Sequence, residues 1–184
     1  MRKDMQTGLE QKVSDVAEEL GVDEYLSSVG AFDPKDLGIP EDVNGFYSPE
    51  MKAVGINKDC IGTDQGNSAL IHELTHSLQD SKRYDYNFKP GERVLYSEFM
   101  EAQASKYTPF ESPYPHLESI YDIFMEGYEK DYFPEEFKDR YGQVYEALSD
   151  CEDVLEDADF EEIFTGDFGL TDSNYETTSG NETY

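Results

Sequence analysis

Three side chains within five residues define the chemistry this sequence could perform. His72 and His76 stand four apart, and Glu73 directly follows the first histidine, in the run Leu70-Ile71-His72-Glu73-Leu74-Thr75-His76-Ser77-Leu78. On an α-helix, positions i and i+4 lie one above the other on one face, so both imidazoles can reach a single divalent cation. Zinc is the ion this H-E-x-x-H spacing serves, at one per chain. Glu73 flanks that face, where its carboxylate can hold a water beside the metal and take its proton. The constellation is that of metal-assisted hydrolysis, with His72 and His76 as metal ligands and Glu73 as the general base.

The helix that must carry these residues is legible in the surrounding pattern. Leu70, Ile71, Leu74 and Leu78 form a core stripe, which leaves the histidines another face. Asp64-Gln65-Gly66-Asn67 reads as a loop in which Asn67 or Asp64 caps the helix, and the helix runs to about Asp80. Upstream, Leu9, Val13, Val16 and Leu20 recur at helical spacing over residues 8–20, with Gly21 as a stop. Between residues 30 and 57 Pro, Gly and Asp are frequent. Gly45-Phe46-Tyr47 and Ala53-Val54-Gly55-Ile56 flank Ser48-Pro49-Glu50, which predicts two short strands joined by a turn. Downstream, a second helix is predicted over residues 92–107 and a third apolar stretch over 116–128. Phe137, Tyr141, Val144, Tyr145, Leu148 and Leu155 mark a further long helix. No Lys or Arg follows Arg140. The expected organisation is one domain over residues 1–160, its core within 30–130, and an acidic, loosely ordered tail over 161–184.

Catalytic zinc takes three protein ligands and keeps a fourth position for water, so the third ligand must come from elsewhere in the chain. The extended motif of the metzincins needs a glycine at position 79 and a histidine at position 82, where this chain has Gln79 and Lys82. His116 is the one remaining histidine, beside a proline. Glu98 and Glu101 on the following helix are the other candidates.

His72-Glu73-Leu74-Thr75-His76-Ser77-Leu78-Gln79, followed by Glu101-Ala102-Gln103-Ala104, resembles the gluzincin arrangement of H-E-x-x-H on one helix and E-x-x-A on the next. It is similar to small bacterial and phage metallopeptidases with the pattern H-E-L-x-H-x-x-Q then E-A-x-A, and more distantly to the ImmA/IrrE-type regulatory proteases. The resemblance covers about residues 40–107. It implies an α+β, zincin-like domain: a short antiparallel sheet packed on the active-site helix, with additional C-terminal helices. It also implies Glu101 as the third zinc ligand, with Glu98 one turn earlier as fallback or supporting partner. The small Ala104 lets the two helices approach. Residues 53–57 would be an edge strand that pairs with extended substrate. The implied reaction is hydrolysis of a peptide bond in a protein or peptide substrate, Glu73 passing its proton on to the leaving amine. Tyr96, Tyr107, Arg83 and His116 are the candidates for stabilising the oxyanion, and Gln79 either orients a ligand or ends the helix.

Composition narrows the partners. The 184 residues carry 42 acidic and 14 basic side chains, for a net charge of −28. That surface repels nucleic acid and anionic membranes and suits solubility or a basic substrate. Cys60 and Cys151 are too few for a disulfide framework and are expected as reduced thiols. No apolar signal core opens the chain, and no run approaches the ~18 apolar residues of a membrane span, so a cytoplasmic protein is expected. The charge also supports an alternative: an acidic interaction or inhibitor protein that imitates nucleic acid, its metal site structural or vestigial.

Overall fold

The computed structural model describes residues 3–108 and 115–165. Within them the elements run α1 (Lys3–Glu19), β1 (Ser28–Phe32), α2 (Pro34–Leu37), β2 (Gly45–Ser48), β3 (Ala53–Asn57), α3 (Asp64–Arg83), α4 (Pro90–Lys106), α5 (Pro115–Glu129), α6 (Glu135–Asp157) and α7 (Phe160–Thr165). The fold is mixed α+β, with a small sheet and predominantly helical surroundings.

The sheet order is β1-β3-β2. β2 and β3 form the expected hairpin, with Gly45 opposite Ile56 and Ser48 opposite Ala53. β1 pairs with β3 in parallel, from Ser28 opposite Ala53 to Phe32 opposite Asn57. The sheet is therefore mixed, not antiparallel as expected. A parallel neighbour needs a long crossover, and the segment holding α2 and β2 supplies it. The same order corrects the expectation that residues 53–57 form an edge. β3 lies in the centre with Val54, Gly55, Ile56 and Asn57 buried, and β2 is the edge strand on that side.

Two apolar clusters hold the fold. The first joins Val13, Val16 and Leu20 from the α1 region, Val54 and Ile56 of β3, and Leu70, Ile71, Leu74 and Leu78 of α3. Aliphatic burial of this kind contributes about 1.5–3 kcal/mol per side chain. The second cluster is aromatic, built from Phe88, Tyr96, Phe99, Tyr121 and Phe124, with Val144, Ala147 and Leu148 of α6. α6 spans both, because its Cys151 and Leu155 pack in the first cluster. Buried apolar residues of the first cluster thus run from Leu9 to Phe164. α7 takes up the first residues of the stretch expected as a tail, and its Phe164 is buried in the first cluster. Residues 166–184 lie outside the described residues. Cys60 and Cys151 are both buried and not joined to each other.

Candidate metal centre

The cap of α3 lies one residue before Asp64 and four before Asn67, the two positions expected for it. Thr63 is the N-cap: its hydroxyl accepts from the Gly66 N–H at 3.2 Å and donates to the Cys60 carbonyl at 2.6 Å. Gly66 is required there, since a Cβ would fall 2.0 Å from the Cys60 carbonyl oxygen. The Leu70, Ile71, Leu74 and Leu78 stripe anchors α3 in the aliphatic core. The face carrying His72 and His76 consequently turns toward α4 and the hairpin. α4 begins with Pro90 in its first turn, and the Lys89 N–H donates to the Glu92 carboxylate at 2.5 Å. Its buried residues Phe99, Ala102, Gln103 and Ala104 place Glu101 on the rim beside the histidines.

His72, His76 and Glu101 converge. The two Nε2 atoms are 3.2 Å apart. Glu101 turns one oxygen to each ring, Oε1 at 3.3 Å from His76 Nε2 and Oε2 at 3.5 Å from His72 Nε2. Two ligand atoms held about 2.05 Å from a tetrahedral ion are separated by about 1.63 times that distance, ~3.3 Å. Two imidazoles and one carboxylate, with a carboxylate oxygen turned to each ring, could hold a divalent metal ion. Among the described residues, this is the only group of three or more His, Cys, Asp or Glu side chains so disposed. Neither Glu98 nor His116 belongs to it; both are exposed, on α4 and at the start of α5.

The electrostatics of the cluster follow from burial and pairing. The hydrogen bond from His72, then that from His76, holds the Glu101 carboxyl well below the usual glutamate range, against the opposing effect of its burial. Burial pulls the His76 imidazole down, but hydrogen bonding and charge from Glu101, the charge of Glu73 and the Gln79 contact outweigh it and leave the ring above its ordinary value. Glu73 is raised, chiefly by burial, while both histidines and a backbone N–H from Tyr47 pull the other way.

The hairpin completes the wall beside Glu73. A Cβ on Gly45 would lie 3.0 Å from Glu73 Cγ and 3.2 Å from the Ala69 methyl, so β2 approaches α3 as closely as it does only with glycine there. The Asn57 N–H donates to the Asn44 carbonyl at 2.8 Å. In an antiparallel pair that phase turns Phe46 and Ser48 toward β3 and the backbone groups of Gly45 and Tyr47 outward. The Tyr47 N–H thereby meets the Glu73 carboxylate. Its phenol reaches the buried Asp80 of α3 at 2.7 Å, where Tyr25 donates to the same oxygen at 2.6 Å. Arg83 Nε stands 2.7 Å from the other Asp80 oxygen as an ion pair, without the alignment of a hydrogen bond. Sequence reasoning missed both Tyr47 contacts. The first is a backbone donor without a side-chain signature, and the second crosses from strand to helix.

Three of the oxyanion candidates are committed elsewhere. Tyr96 is buried and donates to the Gln79 carbonyl at 2.9 Å. Tyr107 donates to Glu152 at 2.8 Å, and Arg83 pairs with Asp80. Gln79, left open between two roles, accepts from His76 Nδ1 at 2.9 Å and so orients that ring. Among the described residues, no helix is long and apolar enough to cross a membrane. No family model matches this chain, and no curated protein or solved structure matches it either.

Proposed function

We propose that this chain is a zinc-dependent peptidase of the gluzincin kind, holding one zinc through His72, His76 and Glu101. The observation that carries the reading is the convergence of these three side chains, the two Nε2 atoms 3.2 Å apart and a Glu101 oxygen within 3.3 or 3.5 Å of each, with Glu73 alongside. Bound zinc supplies Lewis acidity to the scissile carbonyl and acidity to the attacking water. Glu73 takes that proton and delivers it to the leaving amine. The Tyr47 N–H faces the carboxylate from the hairpin. An extended substrate would add to β2, the edge strand beside α3, and not to the central β3. A chain this small has little surface for an elaborate cleft, which favours a particular protein as substrate. The −28 charge favours a basic one.

The test is Glu73→Gln, with labelled casein and a peptide library read by mass spectrometry as probes. The zinc-loaded wild type should cleave, and Glu73→Gln should keep its zinc while losing cleavage by at least about 10²-fold. Stoichiometric capture of a basic protein by wild type and variant alike, without cleavage by either, would instead favour the acidic interaction protein.

A further inference from the structure

α3, α4 and α6 meet around two glutamines that are fully buried, Gln79 and Gln103. A buried amide is costly unless its donors and acceptor are all matched. Here each match also fixes a direction. Gln79 Nε2 donates to the Met100 carbonyl at 2.9 Å and to Gln103 Oε1 at 3.0 Å. Gln103 Nε2 donates to the Leu148 carbonyl at 2.9 Å and to the Tyr121 hydroxyl at 2.8 Å. A backbone carbonyl can only accept, so Met100 and Leu148 forbid either amide from flipping. Gln79 Oε1 must then face His76 Nδ1, 2.9 Å away, and that nitrogen must carry the proton. Once Nε2 gives up its proton to take a metal, its lone pair points at the space shared with Glu101 and His72.

We propose that Gln79 and Gln103 are positioning residues, a directional amide relay that sets the metal-binding tautomer of His76 from the packing of α6. The relay rests on the reading of His72, His76 and Glu101 as the metal ligands, and it adds a residue, Gln103, that touches neither metal nor ligand. Its anchor is the Leu148 carbonyl, in the middle of the helix that spans both apolar clusters. Seating of α6 and zinc affinity are thereby coupled. Hydrogen bonds behind a metal-bound histidine typically change metal affinity about 10- to 100-fold when removed.

The experiment is a double-mutant cycle on zinc affinity, measured by competition with a chromophoric chelator. Gln79→Met should weaken zinc about 10- to 100-fold, and Gln103→Leu about 10-fold. The double variant should be no weaker than Gln79→Met alone, because Gln103 acts only through Gln79. A Gln103→Leu protein with wild-type zinc affinity, or losses that simply add, would overturn the relay. A second measurement stands even where Gln103→Leu does not fold. The ¹⁵N resonances of His76 in the metal-free wild type, above the pH of imidazole titration, should report the Nδ1–H tautomer, and an Nε2–H tautomer would overturn the proposal. A wild type that folds but takes up no zinc refutes the peptidase reading, while the tautomer still decides the relay.

Discussion

Tyr47 joins the sheet to α3 through its phenol, and Tyr47→Phe isolates that joint. The substitution keeps the ring and deletes the hydroxyl, which donates to Asp80 Oδ2 at 2.7 Å. Asp80 is 1% exposed and otherwise keeps the Tyr25 hydrogen bond and the Arg83 ion pair. A hydrogen bond to a charged group contributes about 1.5–3 kcal/mol. With two partners remaining and Tyr47 itself only half-buried, the loss should fall near the low end, about 1.5–2 kcal/mol. A chain of this size loses about 2–4 °C of Tm per kcal/mol, so the melting point should drop by ~3–8 °C. Urea unfolding of Tyr47→Phe, Asp80→Asn and the double variant gives the coupling directly. About 1 kcal/mol or more should be missing from the sum of the single losses. Additive losses, or a Tyr47→Phe protein within about 0.5 kcal/mol of wild type, would refute the clamp.

Other consequences are open to measurement. The phenols of Tyr25, Tyr47, Tyr96 and Tyr121 are all raised, first by burial and, for the first two, also by Asp80. Their folded values lie above the unfolded one of about 10, so the stability they contribute is complete below that pH and is lost as pH climbs through it toward the folded values. Absorbance at 295 nm and circular dichroism followed together should show these tyrosines ionising only as the helices melt. Titration of every tyrosine near pH 10 with unchanged helicity would contradict this. Gly66→Ala forces a methyl to within 2.0 Å of the Cys60 carbonyl oxygen, which the Thr63 N–H and hydroxyl both hold. It should cost about 3 kcal/mol, or ~6–12 °C, in a thermal melt. A loss under about 1 kcal/mol would mean that the start of α3 can shift at little cost.

The helices were legible because their apolar periodicity is long and unbroken. The Leu70, Ile71, Leu74 and Leu78 stripe and the Val144, Leu148 and Leu155 positions are buried as their spacing requires. β1 was not legible. Ser28-Val29-Gly30-Ala31-Phe32 is five residues with a central glycine and alternating partial burial, a pattern no stronger than that of a loop. Strand order escaped as well, since whether residues 53–57 sit at an edge depends on where β1 inserts, and local pattern carries no record of that. At the site, the four-residue spacing placed His72 and His76 on one face, and the resemblance pointed to Glu101 over Glu98. The i, i+3 relation of His76 and Gln79 was visible, but the direction of the amide was not, because Met100, Gln103 and Leu148 impose it from other helices. Tyr96, Tyr107 and Arg83 could not be dismissed as oxyanion donors until their partners were known.

The most direct measurement is zinc per chain, by elemental mass spectrometry, on dialysed wild type beside His72→Ala, Glu101→Ala and Glu98→Ala, each with its helicity recorded. Wild type and Glu98→Ala should hold close to one zinc, and His72→Ala and Glu101→Ala close to none, all four remaining folded. A folded wild type free of zinc, or a Glu101→Ala protein that keeps its metal, would contradict the assignment of the site.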